Sequence, residues 1–142
     1  MPSLGYAPGT LALWFALASG IAAIAVYARA LALQKEGGPA YEAMLLLGRR
    51  IYWAHAASIV LATLLLLWLL LNHDFRLSYV TSYSSRDLPF RYLFSTLWAG
   101  QEGSFLTWLF FGAVIGPFVV ASAKEQEPPV MAVYVLSFLG IV

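Results

Sequence analysis

Long runs of apolar residues separated by short polar stretches set the pattern of this chain. The first run, about 11–33, has no charge from Leu11 to Ala28 and stays apolar past Arg29. About 20 such residues make roughly 30 Å of helix, the thickness of the hydrocarbon layer. Ala12, Ala16 and Gly20 recur every four residues, so the stripe either admits a neighbouring helix closely or is simple filler. Residues 34–50 bring Lys35, Glu36, Gly37, Gly38, Pro39, Arg49 and Arg50 and read as a loop with some amphipathic helix. A second span, about 51–71, ends in seven leucines and Trp68, suited to lipid contact, and stops at Asn72, His73 and Asp74. A third, about 104–121, carries Gly112 and Gly116 at helix-packing spacing, then Pro117, which predicts a kink. A fourth starts after Pro128 and Pro129 and covers 130–142 onward. About 13 residues reach only roughly 20 Å, so the natural polypeptide is expected to continue.

The segment 73–103 is too long for a plain connector. Phe75, Leu77, Tyr79 and Tyr83 keep a period of two, which predicts a short extended stretch. Asp87 stands like a helix cap before Leu88 and Pro89. Phe90, Leu93, Phe94, Leu97 and Trp98 then follow at i, i+3, i+4, i+7 and i+8, one apolar face of a short amphipathic helix expected to lie in the membrane interface. A core helix of a small external subdomain is the alternative. In Trp98-Ala-Gly-Gln-Glu-Gly-Ser-Phe-Leu-Thr-Trp108, Gly100 and Gly103 permit a tight turn, and Glu102 falls at the start of the third span. Its carboxylate there either complements the helix dipole or orients a ligand or partner loop.

Composition agrees with a membrane protein: 61% of the 142 residues are hydrophobic and 11% are charged, against about 25% charged in soluble domains. A formal net charge of +1, with no basic cluster, argues against a nucleic-acid partner. The chain has no cysteine, hence no disulfide framework or thiolate ligands within these residues. The first ten residues carry no Lys or Arg, so the first run reads as a retained span rather than a cleaved signal. The connections around 34–50 and 124 hold Arg29, Lys35, Arg49, Arg50 and Lys124, whereas 73–103 holds Arg76, Arg86 and Arg91. That bias predicts an extracytoplasmic N-terminus and an extracytoplasmic 73–103 segment. No nucleotide-binding glycine loop, paired carboxylates, serine nucleophile arrangement or metal-ligand cluster is visible. The fold class is therefore an all-α, polytopic membrane helix bundle with an external loop carrying a short interfacial amphipathic helix.

One string of residues carries more. Asp74-Phe75, Tyr79-Val80, Ser82, Ser84, Leu88-Pro89, Tyr92, Trp98 and Glu102-Gly-Ser104 with Leu106 and Trp108 resemble the N-terminal part of the CcmF/NrfE family, the membrane haem lyase components of cytochrome c maturation. The resemblance implies a chain several times longer, placed in the cell inner (plasma) membrane. It also implies a component that receives haem from a haem chaperone and promotes its covalent attachment to apocytochrome c on the outer face. Haem b is the implied cofactor, with ligands expected outside this fragment. Other cytochrome c maturation membrane proteins are the implied partners, beside membrane lipid. The family's Trp-rich external haem segment has no counterpart here, so no catalytic residue is assigned. The fragment supplies scaffold and an external loop, with Tyr79, Trp98, Gly100, Glu102, Gly103, Ser104 and Trp108 as candidate ligand or partner contacts.

The two histidines are weighed because imidazole is the usual ligand of b-type haem iron. His55 and His73 sit at opposite ends of the second span, roughly 27 Å apart on a helix, so they cannot share one iron. His55 is the weak candidate haem ligand and His73 a weaker one. The rival function is a helical subunit of an ion or proton transporter, which ordinarily places ionisable groups at mid-depth. No Asp, Glu, Lys or Arg lies there in these spans. A third reading is a scaffold whose helices bind only other helices through Gly112 and Gly116.

Overall fold

The structure, a computed structural model, describes residues 7–141, and every regular element among them is helical. In order they are α1 (Ala7–Leu33), α2 (Gly38–Leu71), α3 (Ser78–Tyr83), α4 (Phe90–Ser95), α5 (Gln101–Ala123) and α6 (Glu127–Leu139). Single 3-10 turns, Thr96–Trp98 and Lys124–Gln126, lead into α5 and α6. The expected N-terminal placement outside the cytoplasm concerns residues before Ala7, and the last residue of the fourth run is Val142; both lie outside the described residues. Three stretches are long and apolar enough to cross a membrane: α1, α2 and the run Gln101–Leu139.

α1 and α2 pack together as a hairpin. Gly37 and Gly38 have φ of 65° and 78°, left-handed values that glycine adopts without steric cost. Pro39 then sits in the first turn of α2, where its missing N–H leaves no helical bond unmade. The expected loop over 34–50 is thus corrected: α2 begins at Gly38 rather than near residue 51. Arg49 and Arg50 were the polar residues that suggested a break, but the helix tolerates them. Arg50 is exposed, and Arg49 is paired with Glu127, because long cationic stems run along a helix and deliver their charge beyond it.

The small-residue stripe of α1 is an interface. Ala12, Ala16, Ser19, Gly20, Ala23, Tyr27 and Ala30 are all buried. A Cβ on Gly20 would fall 2.8 Å from Leu139 Cδ1 and 3.2 Å from His55 Cε1, so α2 and α6 close on α1 at this level. The shared core combines Ala16, Ala23 and Ala30 with Tyr52, Ile59, Leu109, Met131 and Val135.

After Ala123 the chain reverses through Lys124, whose φ is 48°, and α6 returns along α5 and α1. Gly112 and Gly116 pack helices, as their spacing predicted. A side chain at Gly112 would strike the Phe138 ring of α6, and one at Gly116 would occupy the place of the Tyr52 hydroxyl of α2. The same tyrosine answers Pro117. Lacking an N–H, Pro117 leaves the Ala113 carbonyl without its helical donor, and the Tyr52 hydroxyl lies 3.4 Å from that oxygen and 3.4 Å from that of Gly112. Tyr134 donates to the Gly112 carbonyl at 2.7 Å. The helix runs unbroken through Pro117. Gly116→Ala is expected to lower stability by about 1–3 kcal/mol, the cost of overpacking, read as an earlier unfolding midpoint in mixed micelles; an unchanged midpoint would show that Tyr52 can retreat freely.

The two short connections meet at one end of the bundle. Gln34 Nε2 donates to the Glu125 carbonyl at 2.7 Å. Glu127, 1% exposed, accepts two hydrogen bonds through Oε2 and one through Oε1 from the Arg49 guanidinium, at 2.6–3.2 Å, and one from the Tyr27 hydroxyl at 3.3 Å. One carboxylate therefore ties α1, α2 and α6 together. Residues 73–103 occupy the opposite end.

Candidate functional site

The site grows from the way α2 stops. Asn72 turns its side-chain amide back to the Trp68 carbonyl at 2.8 Å. The Arg76 guanidinium donates to both oxygens of Asp74 at 2.8 and 2.6 Å and holds that carboxyl below its ordinary range. Thr81 Oγ1 donates to the Phe75 carbonyl at 2.8 Å. These local bonds wind residues 78–83 into α3, which corrects the expected extended stretch. The alternation misled because Tyr79 and Tyr83, two periods of two apart, are also one helical turn apart; their rings meet at 4.8 Å on one face.

Tyr79 is the centre. Its hydroxyl lies 2.9 Å from the Thr96 carbonyl and 3.2 Å from that of Leu97, and accepts the Gly100 N–H at 3.2 Å. The last turn before α5 is thereby fastened to α3. Burial pushes the Tyr79 hydroxyl above its usual range, with Tyr83 and Glu102 adding to it against the Gly100 N–H. It is therefore a protonated donor at neutral pH. Both glycines are explained by this side chain. A Cβ on Gly100 would enter the rings of Tyr83 and Tyr79, and one on Gly103 would overlap the Tyr79 hydroxyl and the Leu97 carbonyl. Ser104 completes the turn, its N–H on the Gly100 carbonyl at 2.9 Å and its Oγ on the Trp98 carbonyl at 2.9 Å.

The motif residues thus divide. Tyr79, Gly100, Gly103 and Ser104 face inward and build the turn, whereas Trp98 and Trp108 are 53% and 63% exposed, and Glu102 is exposed in the first turn of α5. Helix α4 occupies the predicted place, although the residue at its N-cap is Pro89 and Asp87 makes no cap. Only Leu93 of its apolar face is buried; Phe90 and Phe94 stay 66% and 41% exposed and pack edge to face at 5.3 Å. Those rings are available to a surface outside this chain.

Behind Tyr79 lies a half-open groove of about 580 Å³ between α1, α2, α3 and α5. Tyr83 and Ser82 line it beside Tyr79 and Glu102. Sequence reasoning placed no role on these two, although the Tyr79–Tyr83 spacing was the signal that would have done so.

The histidines are set apart from this groove. His55 is buried between α1 and α2, with Nδ1 at 2.8 Å from the Ala16 carbonyl. A carbonyl only accepts, so Nδ1 carries the proton. The void beside the ring is about 10 Å³, far below the volume of a porphyrin, so the residues at His55 do not fit a haem in this arrangement. His73 stacks on Phe75 at 5.9 Å, and its buried Nδ1 has no hydrogen-bond partner.

Comparison with known proteins finds three curated relatives of this chain. The chain is 35% identical over 98 residues to the cytochrome c-type biogenesis protein CcmF of Pseudomonas aeruginosa, which is 68% of this chain and 14% of that protein. It is 34% identical over 92 residues to CcmF of Pseudomonas fluorescens, 63% of this chain and 14% of the relative. With CcmF of Haemophilus influenzae it shares 31% over 99 residues, 70% of this chain and 15% of the relative. The chain therefore matches about one seventh of the length of these curated relatives. No family model matches it, and no solved structure gives a significant match.

Proposed function

Given that this chain is related to the CcmF family, we propose that it is part of a multi-pass membrane component of cytochrome c-type biogenesis that takes up haem and promotes its attachment to apocytochrome c. The observation that carries the proposal is the match to three CcmF proteins at 31–35% identity, joined to a 73–103 segment that Tyr79 fastens to the start of α5. In this reading the segment faces the extracytoplasmic side of the inner membrane. Its Tyr79 clamp holds Trp98 and Trp108 outward, toward haem-delivering or apocytochrome partners. Haem supplies the vinyl groups that become thioethers. Its ligands belong to parts of the protein outside this chain, which agrees with the closed packing at His55. This chain's own share is positional: α1, α2, α5 and α6 make the frame, and the turn at Gly100–Ser104 sets the height of the exposed aromatics.

The transporter alternative gains nothing from the structure. The buried carboxylate of Glu127 is held by Arg49 and Tyr27 at one end of the bundle, and α2 carries no Asp, Glu, Lys or Arg from Ile51 to Leu71. The proposal predicts that deleting the gene abolishes every c-type cytochrome detected by covalent haem staining while b-type haem proteins persist. Normal holocytochrome levels in the deletion strain would refute it.

A further inference from the structure

The half-open groove at the 73–103 end is a site that the haem-attachment reading does not use. Its walls come from three long helices: Leu13 of α1, Leu66 and Leu69 of α2, and Leu106 of α5. Its mouth is polar, formed by Ser78 and Ser82 of α3 and by Glu102. A volume of about 580 Å³ lies within the roughly 300–1,000 Å³ range of small-molecule sites. One wall belongs to the leucine-rich end of α2, where Trp68 is 58% exposed, so the groove adjoins the surface that lipid tails cover and can be entered sideways. The lining is apolar below and hydroxylic above, the gradient of an amphiphile standing in a bilayer.

Charge selects the head. Among the described residues Glu102 is the one charged residue in the lining, and it takes part in neither of the two ion pairs. An anionic head would meet this carboxylate. A primary ammonium offers three donors and the opposite charge, and the Ser78 and Ser82 hydroxyls are exposed beside it to meet a phosphate. We propose that this groove holds one acyl chain of a phospholipid with a primary-amine head, its ammonium on Glu102 and its tail between α1, α2 and α5.

The test uses the full-length protein, delipidated in detergent and titrated with dioleoyl phosphatidylethanolamine, phosphatidylcholine or phosphatidylglycerol, with bound lipid counted by native mass spectrometry. Phosphatidylethanolamine should bind about fivefold more tightly than phosphatidylglycerol, the effect of one solvent-exposed charge pair, and Glu102→Gln should bring the ratio to about one. Glu102 is exposed, so this variant keeps the fold, and its melting temperature verifies that. Leu66→Trp, which fills the floor, should weaken all three lipids together. Equal binding of the three heads by the natural protein, or an amine preference that survives Glu102→Gln, would overturn the proposal. Neither result touches the haem-staining experiment, so the two readings fail separately.

Discussion

Gly103→Val will detach the 73–103 segment from α5 and lower the stability of the protein by about 3 kcal/mol. The figure combines overpacking, about 1–3 kcal/mol, with hydrogen bonds worth about 0.5–1.5 kcal/mol each. A Cβ at residue 103 overlaps two atoms at once, the Tyr79 hydroxyl and the Leu97 carbonyl. Tyr79 could swing away, but the carbonyl is backbone and can move only with the turn that carries it. Relief therefore removes the contacts of Tyr79 with Thr96, Leu97 and Gly100 together. Tyr79→Phe, which deletes the hydroxyl and leaves the turn unstrained, should cost less, about 1–2 kcal/mol. Unfolding in mixed micelles measures both variants. Protease cleavage within residues 84–89 should appear in Gly103→Val well before the long helices melt. If Gly103→Val resists protease as the natural protein does, the clamp does not hold the segment.

The second large effect belongs to the other end of the bundle. Arg49→Met leaves Glu127 buried against Tyr27 with its guanidinium gone, and breaking such a pair costs about 3 kcal/mol. That is the low end of the range for buried pairs, because the Arg49 side chain is 47% exposed while that of Glu127 is 1% exposed. Removing both charges is expected to be far milder than removing one, since an apolar pair of similar volume leaves no unpaired ion. The double variant Arg49→Met with Glu127→Met should thus recover most of the loss. A double variant as unstable as Arg49→Met alone would mean that the charge pair is not what joins α2 to α6.

What the sequence disclosed, and what it hid, follows from which forces act locally. The apolar runs, the α1 stripe and the paired glycines of α5 were legible because burial in helices has a fixed period that the order of residues along the chain reveals. The start of α2 was misplaced because Arg49 looked like a break; its partner Glu127 is 78 residues further on, and no local pattern announces a distant counter-ion. Residues 78–83 were misread because tyrosines four apart satisfy both periods, and only the third dimension, where the Tyr79 hydroxyl finds the turn before α5, decides between them. The candidate residues at 98–108 lie in the turn leading into α5 and in its first two turns. Their division into a folded-in half and an outward half depended on where α3 would dock, which is a tertiary fact.

The polar ties between the long helices are unevenly distributed along the bundle. Gln34 with Glu125, and Glu127 with Arg49 and Tyr27, lock one extremity, and Tyr52, Tyr134 and His55 bridge the middle. At the far extremity α1, α2 and α5 flank the groove and, among the described residues, meet through apolar contact of Ala12, Ala62 and Leu106. The frame is consequently a wedge with a fixed apex: helices pinned at one tip can splay at the other without breaking a hydrogen bond, and the gap they enclose can breathe with whatever fills it.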